Sequence, residues 1–187
     1  MNWFDHRKRL VRRRRVLRFV CGGLVVLGGL LLIGAALPVV LIRRGTVILD
    51  RSPESVWLVL TDLDGMPRWR SDLTGLERIP DLEGRPAWKE FGPGGVRIFQ
   101  LQTAERPHLL VMRRADGVGR RAVFRTVELT ELRGRGGTEV RVTEAEELGN
   151  PVRRVLDRLW MRRLPRFLRD LAQMLGGHQR QVAIAPE

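Results

Sequence analysis

The sequence predicts an α+β fold: a curved antiparallel meander, entered through two short helices and closed by one long amphipathic helix, behind a single transmembrane helix. Three observations carry this. Phe19 to Ile42 is a run of 24 residues without a charge, preceded by an arginine-rich arm. Six strand-like segments between Leu73 and Glu146 are divided by short clusters of turn formers. From Asn150-Pro151 to Leu175, apolar residues recur at intervals of three and four. Short connections join antiparallel neighbours, because parallel strands need long crossovers.

The first element is the arm at 1–18 followed by the apolar run at 19–42. At 1.5 Å per residue the run makes a helix of about 36 Å, enough for a hydrocarbon core of about 30 Å. Eight cations (Arg7, Lys8, Arg9, Arg12, Arg13, Arg14, Arg15 and Arg18) precede the run, and only Arg43, Arg44 and Arg51 follow it closely. Cations stay on the cytoplasmic side, so the arm is expected inside and residues 43–187 outside, on a single-pass anchor in the cell membrane. The same pattern, with Gly34-Ala35-Ala36 as a cleavage region, also fits a secretory signal; the apolar length through Ile42 favours retention. Cys21 precedes the apolar centre, where a lipoprotein signal does not place it. Gly22, Gly29 and Ala36 recur every seven residues, a weak homodimer seam without a GxxxG motif.

The net charge of +13 raises a nucleic-acid partner, which its distribution excludes. The arm holds eight cations against the single acid Asp5, so more than half of the excess is a topology signal. Segment 151–175 holds seven arginines against Asp157 and Asp170, which leaves the rest of the chain beyond the anchor nearly neutral. That segment reads as a solvated basic face or a surface for anionic lipid. With one cysteine there is no disulfide framework, so stability must come from packing.

Within residues 43–177, Thr46–Asp50 has the β-branched character of a strand. Ser52-Pro53 caps a helix from Glu54 to Thr61, and Asp64-Gly65-Met66-Pro67 breaks it before a short turn at Met66–Ser71. The strands are expected at Leu73–Ile79, Ala87–Phe91, Val96–Ala104, His108–Arg114, Ala122–Leu132 and Glu139–Glu146. Between them stand Gly92-Pro93-Gly94-Gly95, Glu105-Arg106-Pro107, Asp116-Gly117 and Gly134-Arg135-Gly136-Gly137. Asn150-Pro151 opens the long helix, Pro165 is expected to kink it, and Gly176-Gly177 ends it. Residues 178–187 carry no periodicity and read as a flexible tail.

These motifs together resemble a known family. Ser52-Pro53-Glu54-Ser55-Val56-Trp57, Asp62 with Pro67-Arg68-Trp69, Gly137-Thr138-Glu139-Val140, and Gly149-Asn150-Pro151 opening a helix that closes through Phe167-Leu168, Leu171 and Leu175-Gly176 are similar to the polyketide cyclase/dehydrase and START-like (SRPBCC) superfamily. The resemblance covers about Thr46 to Gly177. It implies the helix-grip fold, which hosts lipid carriers, aromatic cyclases and binders of hormones or polyketides. Pro165 in the gripping helix and the preceding transmembrane segment depart from the pattern.

The chemistry-bearing residues are few. HExxH, GxSxG and CxxC are absent, and Gly117–Ala122 spells GxGxxA but leads into a strand, as a hairpin turn does. His6, His108 and His178 fall in separate parts of the chain, so neither a metal nor another cofactor is expected. Alternation along the last strand puts Glu144 on the face of Val140 and Val142, where it either pairs with an arginine or, with a raised pKa, serves as a base. Glu144 and His108 are therefore the weak catalytic candidates. A single helix laid across a curved sheet leaves an interior pocket, and its expected ligand-binding residues are Trp88, Phe99, Leu101, Met112, Phe124, Glu144, Trp160, Leu164, Phe167 and Leu171. The expected function is binding of a hydrophobic small molecule (a lipid, isoprenoid or polyketide-like ring system) by a membrane-integral protein. The alternatives are a cyclase or dehydratase, and an interaction module whose pocket is filled by its own side chains.

Overall fold

The computed structural model describes backbone over residues 3–115, 123–132, 134, 136–160 and 163–183. Side chains are described over 19–115, 123–132, 134, 136–156, 158 and 164–177. The chain forms two compact units, Met1–Pro38 with Asn150–Trp160, and Val39–Gly149 with Met161–Glu187.

In the first unit, helix α1 spans Trp3–Ala36, and its apolar stretch is Phe19–Ala36, with a mean hydropathy of 2.4. The apolar run was expected to stay helical to Ile42. It stops at Ala36 because Pro38 cannot continue the ladder, and Val40 to Ile42 belong to a strand of the other unit. Helix α4 (Pro151–Trp160) opens as its sequence predicts: Asn150 Oδ1 accepts hydrogen bonds from the amides of Val152 (2.9 Å) and Arg153 (3.2 Å). The last carbonyls of a helix lack intrahelical donors. Here Arg154 Nη1 donates to the carbonyls of Gly34 (3.2 Å) and Leu37 (3.3 Å), and Arg158 Nη2 donates to that of Pro38 (3.1 Å). Two arginines of α4 thus close the C-terminal end of α1.

Among the described residues the second unit is an eight-stranded antiparallel sheet with three helices. In chain order its elements are β1 (Val40–Leu49), α2 (Pro53–Thr61), α3 (Met66–Trp69), β2 (Gly75–Leu82), β3 (Arg85–Gly92), β4 (Gly95–Glu105), β5 (Leu109–Arg114), β6 (Val123–Leu132), β7 (Gly137–Glu147), α5 (Arg163–Leu175) and β8 (Gly177–Ala183). The order across the sheet is β2-β3-β4-β5-β6-β7-β1-β8, so β2 to β7 form the expected meander and β1 returns beside β7. The hairpin turn expected at Gly117–Ala122 lies outside the described residues.

The long helix expected from Asn150-Pro151 to Leu175 is described in two stretches, α4 and α5; residues 161–162 between them lie outside the described residues, and so does the kink expected at Pro165. One expectation needs correction. The C-terminal segment expected as a tail forms β8, antiparallel to β1 from Leu49↔Gly177 to Arg44↔Ala183. Its contribution is a backbone ladder along the β1 edge, which hydrophobic periodicity does not report.

Period-two burial fixes the inward face. On β1, Leu41, Arg43, Gly45, Val47 and Leu49 are buried, and on β7, Val140, Val142, Glu144 and Glu146 are. The core joins these to Val56, Trp57 and Leu60 of α2 and to Leu164, Phe167, Leu168 and Leu171 of α5. A Cβ at Gly45 would overlap the Leu168 side chain, so glycine is what lets α5 approach β1. Asp170 fixes the other side of α5: its Oδ2 accepts from both the amide and the hydroxyl of Ser71 at 2.8 Å.

Candidate ligand cavity

Between the inward faces of β4, β6, β7 and β1 lies a cavity of about 30 Å³ lined by Arg43, Arg97, Phe99, Arg114, Val123, Arg125, Glu144 and Glu146. Six of the eight carry a charge. The strands bring them together by register: Arg125 of β6 and Arg43 of β1 both stand opposite Glu144 of β7, on either side of it.

Arg125 Nε donates to Glu144 Oε1 at 2.8 Å, with Nη2 at 2.6 Å from the same oxygen. Burial alone would raise the Glu144 pKa; the charge and hydrogen bonds of Arg125, helped by Arg43 and Arg70, prevail and hold it below the usual carboxylate range. The role of a base with a raised pKa is therefore corrected: a guanidinium on each neighbouring strand keeps Glu144 ionised, and its proton affinity is low. Arg43 Nη1 stands 3.6 Å from Glu146 Oε2. The Arg125 guanidinium also lies 5.7 Å from the Phe99 ring centre and 5.1 Å from that of Phe167, within cation–π range of both.

Arg97 belongs to a second buried cluster as well. Arg70 forks onto Glu90, with Nη1 to Oε1 at 2.6 Å and Nη2 to Oε2 at 3.1 Å, and onto Asp72, with Nε to Oδ1 at 3.1 Å and Nη2 to Oδ2 at 3.0 Å. Arg97 Nη2 completes it, 3.1 Å from Asp72 Oδ2 and 3.5 Å from Glu90 Oε2. Burial works to raise the Asp72 pKa, but the hydrogen bonds and charges of Arg70 and then Arg97 prevail and lower it to about 2.

Of the residues expected to bind a ligand, Phe99 and Glu144 line this cavity. Trp88, Met112, Leu164, Phe167 and Leu171 are packed in the core, and Leu101 is half-buried against it. Trp88 stacks on Phe99 with ring centres 6.0 Å apart, and Trp69 tilts onto Phe167 at 5.6 Å. Phe124 does not face the interior. Arg125, Val127 and Leu129 take the inward positions of β6, so alternation leaves Phe124 outside and 39% exposed. The Trp160 side chain lies outside the described residues. His108, in the turn before β5, is exposed and absent from the cavity lining, so it is no acid or base for this site. Among the described residues no group of three or more His, Cys, Asp or Glu is placed to hold a metal ion.

Arg43, Arg97, Arg114, Arg125 and Glu146 line the cavity without being among the expected ligand-binding residues. The signal that reveals most of them is the alternation that selected Glu144: Arg43 shares a face with Leu41 and Val47, Arg97 with Phe99, Arg125 with Val127 and Glu146 with Glu144.

The sequence matches none of the curated proteins it was compared with. Solved structures share the fold. A START superfamily protein from Mycobacterium smegmatis aligns over 72% of this chain and 97% of its own, with a TM-score of 0.57 at 16% identity. Truncated norcoclaurine synthase from Thalictrum flavum aligns over 76% and 98%, with a TM-score of 0.60 at 12% identity. The Zhui aromatase/cyclase from Streptomyces sp. R1128 aligns over 73% and 93%, with a TM-score of 0.57 at 15% identity. The family model described as polyketide cyclase/dehydrase and lipid transport matches residues 44–176, well over half of the sequence. With its helix-grip architecture, the chain belongs to the polyketide cyclase/dehydrase and lipid transport family.

Proposed function

We propose that this protein is a membrane-anchored binder of a hydrophobic small molecule, held between the sheet and α5, with its polar end at the arginine-lined cavity. The family and the fold support a hydrophobic-ligand-binding or cyclase-like role. The observation that favours binding over chemistry is the state of Glu144: ion-paired with buried Arg125, which holds its pKa below the usual carboxylate range, it is not poised to take a proton. Anchoring is supported by the apolar stretch of α1, Phe19–Ala36, most of whose side chains are exposed, Phe19, Val25 and Leu32 each by more than 70%. The hydrogen bonds from Arg154 and Arg158 to the end of α1 favour a retained helix over one cleaved near Ala36. The cation asymmetry favours the domain outside.

A cavity of about 30 Å³ is far below the roughly 300–1,000 Å³ of sites for drug-sized ligands. For the apolar body of a ligand to enter beside this cavity, α5 parts from the sheet and Phe167 gives way. The same small volume favours a second reading, an interaction module whose interior is permanently filled.

Glu144→Gln tests the choice between binding and catalysis, because it keeps shape and hydrogen-bonding capacity while removing ionisation. Affinity for a hydrophobic ligand should stay within about tenfold of the parent, whereas a general base would lose about 10²–10⁴-fold in rate. A parent that turns over a polyketide-like substrate, beside a folded Glu144→Gln variant that binds it without turnover, would replace the binder by an enzyme.

A further inference from the structure

We propose that α4 is an interfacial helix, lying in the lipid headgroup layer where α1 leaves the membrane and taking anionic headgroups as its partner. This inference rests on the reading of α1 as a retained membrane anchor. The apolar stretch of α1 ends at Ala36. Gly34 stands two residues inside that end, about 3 Å along the helix axis, and a Cβ there would overlap the carbonyl of Pro151. Glycine at 34 thus lets the first residue of α4 touch α1 at the boundary of its apolar stretch. The hydrogen bonds from Arg154 to the carbonyls of Gly34 and Leu37, and from Arg158 to that of Pro38, hold the next two turns of α4 near the same level. The lipid layer that surrounds the end of α1 therefore meets α4.

The chemistry of α4 suits that layer. Pro151, Arg154 and Arg158, spaced three and four apart, form the face turned to α1. Beside it Val152, Val155 and Leu156 form an apolar stripe, in which the two valines are half-buried and Leu156 is 39% exposed. An amphipathic helix of this kind buries its apolar stripe at the boundary between headgroups and acyl chains. The helix carries Arg153, Arg154 and Arg158 against Asp157 alone, a net charge of +2. Arg153 and Arg154 have further contacts of their own. Arg158 donates to two carbonyls, that of Arg154 at 3.0 Å and that of Pro38 at 3.1 Å. A carbonyl carries no net charge, so the positive charge of Arg158 has no acidic partner among the described residues, and an anionic headgroup supplies one. An acidic protein surface would meet the charge equally; the level of α4 at the end of α1 favours lipid.

The test uses the full chain in lipid nanodiscs, with a fluorophore on Leu156→Cys in a Cys21→Ser background and nitroxide-bearing lipids as quenchers. The same fluorophore on Leu27→Cys, inside the apolar stretch of α1, is the reference for the anchor. In discs with about 30% anionic lipid, lipids bearing the nitroxide just below the headgroup should remove at least half of the emission at 156. In discs of zwitterionic lipid alone that quenching should be about twofold weaker, and about 0.5 M salt should erase most of the difference. In the unsubstituted chain the α4 amides should exchange with solvent at least about threefold more slowly in the anionic discs, a measurement that needs no label. A label at 156 that stays unquenched, while the label at 27 is quenched by lipids bearing the nitroxide deep in the chain, overturns the interfacial helix and leaves the anchor standing. Quenching or exchange that is the same in both kinds of disc overturns anionic lipid as the partner. If the label at 27 is unquenched as well, the anchor reading fails, and the interfacial helix with it.

Discussion

Arg70 is a side chain whose loss the structure makes costly. It is 2% exposed, and its guanidinium makes four hydrogen bonds to Glu90 and Asp72, binding the segment after α3 to β3. Arg70→Met keeps apolar bulk and strands two carboxylates. Removing one partner of a buried ion pair costs about 3–5 kcal/mol. Arg97 Nη2 remains near both carboxylates, at 3.1 Å from Asp72 and 3.5 Å from Glu90, which places the expected loss near the lower end, about 3 kcal/mol. At about 2–4 °C per kcal/mol for a chain of this size, the Tm should fall by roughly 6–12 °C. Urea titration of the full chain in micelles, followed by tryptophan fluorescence, measures the free-energy loss, and a thermal scan of the same signal measures the Tm shift. The double variant Arg70→Met/Glu90→Gln should recover at least half of the loss, because a neutral amide replaces the stranded charge and Asp72 keeps Arg97. A loss below about 1 kcal/mol in the single variant, or a double variant no better than the single, would refute the argument that the burden is an uncompensated buried charge.

Two further outcomes follow from the same geometry. The Asp72 carboxyl, held at about 2 against an ordinary 3.8, binds protons less readily in the folded chain than in the unfolded one, so its contribution of about 2 kcal/mol is complete above the unfolded value and is lost as pH falls from about 4 to about 2. Asp72→Asn should therefore be less stable at neutral pH and show a shallower stability decline across that window; equal slopes for parent and variant would contradict it. For topology, Asp64→Cys in a Cys21→Ser background places a thiol at a side chain that is 77% exposed, and it should react with a membrane-impermeant maleimide in intact cells. Reaction only after lysis would put the domain on the cytoplasmic side.

Much of the fold was legible because its signals are local. Turn clusters marked the six meander strands to within two or three residues, Ser52 and Asn150 capped helices as their sequences predict, and Gly176 ends α5 with a φ of +70°. What was missed depends on elements far apart in the chain. Arg43 looks like a stop-transfer cation following an apolar run, and only the pairing of β1 with β7, a hundred residues later, turns it inward beside Glu146. Arg70 and Glu90 gave no motif because a buried fork is defined by geometry between a loop and a strand. Phe124 was misplaced for a related reason: an aromatic residue on a strand suggests core, yet Arg125 holds the inward position because Glu144 and two phenyl rings receive it there. Glu144 itself was placed by alternation, but its chemistry was set by the arginine opposite it.

The central claim is that a hydrophobic molecule resides inside this domain, and native mass spectrometry of the full chain released gently from its own membrane tests it most directly. The account predicts a species heavier than the bare chain by one small amphiphile, which is lost when Phe167→Asp places a charge between α5 and the sheet while the chain stays folded. Only the bare mass, in every mild detergent tried and with the native fold intact, would contradict the account and leave a domain whose interior is filled by its own side chains.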